Sequence, residues 1–491
     1  MKYGQESIVT KELAHRFERS GKHQPIIVLG GMGVDISSKR LAAEVAAHGE
    51  FGTLSETSGA VRIARHLQDG DPNGDIHESL RQFPNQAMVD HVLEKFYRQA
   101  PPDGTAPKTK GKKYRPVPKY LLENHHESGF TVPLVEMLTV LDAFEQVVTA
   151  RRLSGGKGYL GINGLGKIPL PTAAALYGAM VAGVDYTARG AGARTDIPQV
   201  VEQLYAGETV HYPIAVDYSR GTAYEHATVT FDPQPYGATP QSKPEFWAIA
   251  GTTEGARAYL DTGAQAIVFE RGTAGGHNMP HGIKESSYEE FLGLDAPVIL
   301  AGGAAQQYAM VTEMGGAGIQ VGSLFAVANE SGMVAAERGK VKINAQMDRL
   351  VVRSDEGVSP TGYPFQVAEI GGTLSDPQVK ESRPRICDIS ALRTPYVSDG
   401  ELHWRCPADV AENMADAFKG PFAAKRIGEA ACLCNALWAA AGAGQQDYGR
   451  GSKEPSIVTL GQHASNDIRD YMARYGRDIT AANVISYIRT R

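Results

Sequence analysis

Between residues 266 and 323, three short β-branched runs each close on a glycine-rich turn. Ala266-Ile267-Val268-Phe269 leads into Ala274-Gly275-Gly276-His277-Asn278. Pro297-Val298-Ile299-Leu300 leads into Ala301-Gly302-Gly303, and Gly318-Ile319-Gln320-Val321 into Gly322-Ser323. A parallel barrel whose strands end in such turns can hold a phosphate and set a catalytic group beside it. The histidine of the first turn exchanges protons near neutral pH.

The rest of the chain supplies the missing strands. Ile26 to Leu29 is a buried strand that ends in Gly30-Gly31-Met32-Gly33. Ser37 or Ser38 can cap the next helix, which carries Leu41, Ala42, Val45 and Ala46 at helical spacing. Phe51 to Leu54 follows as a second strand, and a strand–helix–strand unit favours parallel pairing. Further strands are expected near residues 158, 184 and 246, with helices over Ile197 to Tyr205 and from Thr252 or Thr253 to Leu260. With the runs near 266, 297 and 318 the strands number eight, as a (β/α) barrel requires.

A chain of 491 residues exceeds one ordinary core, so extra segments are expected around the barrel. The barrel is read in two parts, 1–55 and 158–355. Between them lies a substrate-covering insert, 56–157, with helical stretches and a polar excursion from Pro101 to Lys119. Residues 210–245 read as an inserted hairpin. Residues 356–491 read as a helical C-terminal extension, whose most apolar stretch is Ile427 to Ala443.

The hydrophobic fraction of 42% is ample for burial, and a formal charge of −6 does not point to nucleic acid. The polar start Met1 to Glu6 lacks the apolar core of a signal peptide. The uncharged stretch Ile168 to Val184 is interrupted by Pro169 and Pro171 and falls short of a membrane span. The expectation is a soluble cytoplasmic protein, with association into a homo-oligomer left open.

Gly302-Gly303 and Gly322-Ser323 follow the seventh and eighth strands, whose loops commonly form a phosphate site in this architecture. Glycine lets the backbone approach an anion with its N–H groups aimed at the oxygens. A helix is expected just after each turn. Either pair alone could be a tight connection; together, and in this order, they favour phosphate. Gly30-Gly31-Met32-Gly33 could lie against a flat ring system or be a plain turn, and Asn163 could bond a ring edge or only its own strand end. Neither Gly164-Leu165-Gly166 nor Gly190-Ala191-Gly192 completes G-x-G-x-x-G, so a mononucleotide such as FMN fits better than a dinucleotide.

His277 is the candidate catalytic group; the plainer alternative is a histidine that orients its loop or touches the cofactor. Asn278 could hold that histidine or the substrate. Glu270 could support the site, but the preferred reading is a solvated strand end. Other chemistries fail. His126-Glu127 is followed by Phe130 rather than a second histidine, and no G-x-S-x-G elbow occurs.

The four cysteines, Cys387, Cys406, Cys432 and Cys434, are too few for a disulfide scaffold. They include no C-x₂₋₄-C pair, and on a helix Cys432 and Cys434 would point roughly 200° apart. No metal site is expected, only buried or free thiols. Lys108, Lys110, Lys112, Lys113, Arg115 and Lys119 form a basic run. Its ordinary meaning is a solvated loop; the sharper one is docking of an acidic partner such as an acyl carrier protein.

Together these residues resemble the nitronate monooxygenase (2-nitropropane dioxygenase) family of FMN-dependent TIM barrels. The matching stretches are Gly30-Gly31-Met32-Gly33, Gly52-Thr53-Leu54-Ser55, Ala274-Gly275-Gly276-His277, Ala301-Gly302-Gly303 and Gly322-Ser323-Leu324-Phe325, within residues 25 to about 335. The resemblance implies FMN at the C-terminal mouth of the barrel. Its phosphate would sit on Gly302, Gly303, Gly322 and Ser323, and its isoalloxazine against Gly31, Met32 and Asn163. Gly275 and Gly276 would also touch the cofactor, and His277 would be the acid–base group.

Two activities share this frame. In one, a nitronate reduces the flavin and oxygen completes the reaction, giving a carbonyl compound and nitrite. In the other, reduced flavin delivers hydride to the double bond of an enoyl thioester. The inserts, the long tail and Gly190-Ala191-Gly192 with Asp196-Ile197-Pro198 resemble larger relatives, some associated with polyketide and polyunsaturated fatty acid assembly. Nitronate oxidation is the first expectation and enoyl reduction, with a carrier protein as partner, the second. A non-catalytic binding barrel is the third, and the glycine turns speak against it.

Overall fold

The computed structural model describes residues 7–99, 113–120, 130–190, 192, 194–218, 226–280, 282–383, 387–398, 401–408, 430–445 and 453–491. Eight parallel strands close into a barrel: β1 (Ile26–Leu29), β2 (Phe51–Ser55), β3 (Tyr159–Leu165), β4 (Tyr186–Gly190), β5 (Glu245–Ala250), β6 (Ala266–Glu270), β7 (Val298–Ala301) and β8 (Gly318–Val321). Each pairs with its neighbours in chain order, and β1 closes the ring on β8 with Leu29 opposite Val321. The fold is a (β/α)₈ barrel, built from the eight strands read from the sequence.

Alternation along the strands makes two layers. Ile26, Val28, Phe51, Tyr186, Trp247, Val268 and Ile299 fill the interior, while Ile27, Leu29, Leu160, Ile162 and Leu300 join the outer core under the helices. Trp247 stacks on Tyr186 with ring centroids 3.9 Å apart. Gly161 is what admits the Tyr186 ring, since a Cβ there would lie 2.2 Å from it.

The N-terminal end of the barrel is plugged by the helix Ile8–Ser20. Val9 joins the interior cluster, and Arg16 makes a two-pronged bond to Glu50 at 3.1 and 2.8 Å. Toward the other end, Arg189 and Glu56 form a buried ion pair at 2.9 and 2.5 Å, beneath Gly164.

Ser38 proves to be the cap of helix Lys39–Ala47 and Thr252 the cap of Thr253–Asp261, which resolves both sequence alternatives. The helix Leu134–Leu153 is buried along almost its whole length and is tied to Gly59–Gln68 by Arg62–Asp142 (2.7 Å) and Arg62–Glu145 contacts. It is therefore an outer-layer helix on the crossover from β2 to β3. The hairpin expected in 210–245 is present, with Val210–Ala215 antiparallel to His226–Phe231.

The extension is not simply helical. It contains strands Phe365–Ala368, which pairs with Val352–Asp355 just ahead of the extension, Thr394–Ser398 and Glu401–Arg405 alongside helices Leu433–Ala440, Ala464–Tyr475 and Ala481–Ile488. Strands of four or five residues that mix apolar with polar or charged positions show too little periodicity to be recognised in a sequence. Its C-terminal helix packs into the main core through Val484, Ile485, Tyr487 and Ile488. Among the described residues, no helix is long and apolar enough to cross a membrane.

Candidate active site

The C-terminal ends of the strands surround one cavity. Its wall includes Gly30 to Val34 after β1, Asn163 to Leu165 on β3, Ala274 to His277 after β6, Ala301 to Ala305 after β7 and Gln320 to Leu324 around the end of β8. Gly31, Met32, Asn163, Gly275, Gly276, His277, Gly302, Gly303, Gly322 and Ser323 all line it. Asn278 does not. Its amide nitrogen donates to the Ala274 carbonyl (3.1 Å) and its oxygen accepts from Gln366 Nε2 (2.8 Å), so the side chain braces the turn.

Gly302 and Gly303 have φ of +84° and +69°, the left-handed region open to glycine. A Cβ on Gly303 would meet the His463 ring at 2.4 Å. The helical segments after the two turns are single turns, Ala304–Gln306 and Ser323–Ala326. Turn amides, rather than a long helix dipole, are thus what an anion would find here. Gly31 lies flat against Asn163, where a Cβ would come within 2.2 Å of its side chain, and Asn163 Nδ2 donates to the Ala188 carbonyl at 3.0 Å.

His277 stands on the short strand Gly276–His277, antiparallel to Phe365–Gln366 of the extension. Its Nε2 lies 2.7 Å from Ser359 Oγ, and its ring meets Phe365 edge-on at 4.9 Å. Burial, reinforced by the nearby Lys167, pushes His277 down to about 3, so the imidazole is neutral across the ordinary pH range.

Glu270 faces this cavity rather than solvent, which reverses the preferred sequence reading. Burial raises its carboxyl to about 7, and Lys167 opposes the shift. Lys167 was not singled out from sequence, since a lone lysine after a strand carries no pattern. Its Nζ is buried without a hydrogen-bond partner, and burial brings it down to about 7.

The extension also completes the rim, which the sequence did not reveal. Thr459, Leu460 and Gly461 line the cavity. Gly461 N–H donates to Ser323 Oγ at 2.8 Å, and Gln462 N–H to the Thr273 carbonyl at 2.9 Å. Asp467 lines the cavity too, accepts from Gln306 Nε2 at 2.8 Å, and is raised to about 6 by burial. Of the segment read as a substrate cover, Thr57 and Ser58 are the described residues that reach the wall; Leu392, Leu433 and Leu437 of the extension line it as well.

The four cysteines gather around a small second cavity, and Cys434 lines both cavities. Cys432 is the non-helical residue ahead of Leu433–Ala440, so the helical angle between Cys432 and Cys434 does not apply. Among the described residues, no three His, Cys, Asp or Glu side chains are arranged to hold a metal ion. Of the basic run, Lys108, Lys110 and Lys112 lie outside the described residues, while Lys113 and Arg115 are exposed and Lys119 is half-buried.

No family model and no curated protein matches the sequence. Solved structures resemble it over nearly its whole length. FabK from Thermotoga maritima is 14% identical with a TM-score of 0.47, covering 99% of this chain and 95% of that one. A nitroalkane oxidase from Streptomyces ansochromogenes is 14% identical with a TM-score of 0.42, covering 95% of each. The enoyl reductase domain of MlnA, from the macrolactin biosynthesis cluster of Bacillus amyloliquefaciens, is 10% identical with a TM-score of 0.43, covering 97% and 96%. Both an oxidase of nitroalkanes and an enoyl reductase thus stand among the structures this chain is similar to. The functional reading rests on the cavity.

Proposed function

We propose that the chain is an FMN-dependent oxidoreductase that oxidises a nitronate to a carbonyl compound and nitrite with molecular oxygen. The observation that carries this reading is a neutral, desolvated His277, held by Ser359, on the same cavity as two glycine turns open to an anion.

The lining fits a flavin mononucleotide. The turns at Gly302-Gly303 and Gly322-Ser323 would hold its phosphate, and the flat face at Gly31, Met32 and Asn163 its ring. Gln320 Oε1, buried on the same wall without a partner, is an acceptor that a ring or ribityl donor would satisfy. When bound, the flavin supplies the electron-accepting chemistry.

The protein's own part is orientation. An imidazole this reluctant to take a proton is a poor base for a neutral nitroalkane, so His277 serves by hydrogen-bonding an already ionised nitronate. The apolar wall of Leu165, Ile168, Ile249, Phe365 and Leu437 excludes water from that bond. The same wall also suits an acyl chain, which favours enoyl-thioester reduction as the second reading.

An absorbance spectrum of the purified protein, with mass spectrometry of the released chromophore, tests the cofactor. Anaerobic stopped-flow mixing separates the activities: bleaching by a nitronate supports the first reading, and bleaching only by NADPH or NADH supports the second.

A further inference from the structure

We propose that Cys387, Cys406, Cys432 and Cys434 are the ligands of a polynuclear iron–sulfur cluster, which pins three segments of the extension together beside the larger cavity. The inference does not depend on what the larger cavity binds.

The chain has four cysteines in 491 residues, and all four line one small cavity. They reach it from three separate segments. Cys387 lies ahead of the hairpin formed by Thr394–Ser398 and Glu401–Arg405, Cys406 directly follows that hairpin, and Cys432 and Cys434 stand at the start of helix Leu433–Ala440. Cys406 and Cys432 belong to one buried cluster, and Cys434 packs against it. Thiols used only as small apolar side chains have no reason to gather in one place. Four of them around one space are the ligand set of a zinc ion or of an iron–sulfur cluster.

The arrangement decides between these two. A single tetrahedral ion draws its four sulfurs to one point, at about 2.3 Å. Among the described residues no such convergence exists. In a cluster the thiolates are divided among several iron atoms, so the sulfurs stand apart around a shared space, as they do here. No carboxylate or imidazole lines that space among the described residues, and Arg393 is the charged side chain on its wall. Iron, sulfide and four thiolates together carry net negative charge, which a guanidinium offsets. Asn435 Nδ2 also points at Cys432 Sγ, 3.9 Å away, and donors to the sulfurs tune such clusters. In the metal-free chain burial holds the Cys432 thiol up at about 12. Each thiol releases its proton to solvent as it binds iron.

The position gives the cluster a task. Leu392, Leu433 and Cys434 line both cavities. Bonds from Cys434 to iron therefore hold the wall that the extension contributes to the larger cavity, where otherwise only apolar packing would hold it.

The test uses the full chain, purified without oxygen and then supplied with ferrous iron, sulfide and a thiol reductant. Iron and acid-labile sulfide are expected in equal amounts, about two or four of each per chain, with an electron paramagnetic resonance signal after reduction by dithionite. Cys406→Ser and Cys432→Ser should each lose most of both elements. Stripping the iron with a chelator should lower the melting temperature of the parent by several degrees and leave that of the two variants unchanged.

Failure to take up iron and sulfide overturns the proposal. So does one zinc per chain without sulfide, a disulfide among the four mapped by peptide mass spectrometry, or iron retained equally in both serine variants. Should the variants fail to fold, the Mössbauer spectrum of the parent loaded with isotopically enriched iron decides: spin-coupled iron in a sulfur environment supports the cluster, and isolated iron with oxygen or nitrogen ligands overturns it.

Discussion

The hydroxyl of Thr459 accepts a hydrogen bond from the backbone N–H of Gly276 at 2.8 Å, joining residues 183 positions apart. Gly276 immediately precedes His277, so the extension fixes the backbone on which the catalytic candidate stands. Thr459→Val keeps the shape and removes the acceptor. It is expected to cost about 1 kcal/mol of stability and to speed amide exchange at Gly276, read by hydrogen–deuterium exchange.

His277→Asn is expected to retain the yellow flavin and lose most turnover. Because His277 in the folded state resists protonation down to about 3, it also bears on acid stability. Between that value and the ordinary histidine range, the unfolded chain binds the proton that the folded one refuses. Stability therefore rises with pH across this window and is lost as pH falls through it. His277→Asn should flatten that slope, measured by urea unfolding from pH 4 to 7; an unaltered slope would show that the imidazole is not shielded.

Gly303→Ala places a Cβ against the His463 ring at a backbone angle alanine rarely adopts. A loss of flavin affinity of about tenfold or more is expected, with a destabilisation of about 1–2 kcal/mol. A fluorescence titration of the apoprotein with FMN measures the first and thermal melting the second.

Asp467 shares the cavity with the glycine turns and is bonded to Gln306 just beyond Gly303. Its carboxyl, raised to about 6, is ionised above that pH and opposes a phosphate there. Asp467→Asn should tighten FMN several-fold at pH 7.5 and make little difference at pH 5.5. Equal ratios at both pH values would count against a carboxylate beside the phosphate.

Burial pushes the Cys432 thiol up to about 12 and raises Cys434 well above its ordinary value. Thiolates, not thiols, are alkylated. Native protein at pH 8 should leave these two unlabelled by iodoacetamide over an hour and release them in urea, as counted by peptide mass spectrometry.

Much of this was legible in the residues themselves. Eight short strand-like runs, most of them followed closely by glycine, are a strong local signal, and Gly302, Gly303, Gly322 and His277 fall on the rim because a strand's end determines where its loop begins. Asn278 and Glu270 misled for one reason: whether a side chain faces a cavity or braces its own turn depends on partners distant in sequence. Gln366 claims Asn278 from 88 positions away. Lys167 and Thr459 left no trace, since single residues become meaningful only when folding sets them beside β6 and the turn that follows it.

The stretch from Thr459 to Gly461 has a consequence for biosynthesis. A nascent chain that has released all eight strands from the ribosome still lacks one wall of its cavity. The FMN proposed for this cavity would then be captured only after residues 459–461 have been made.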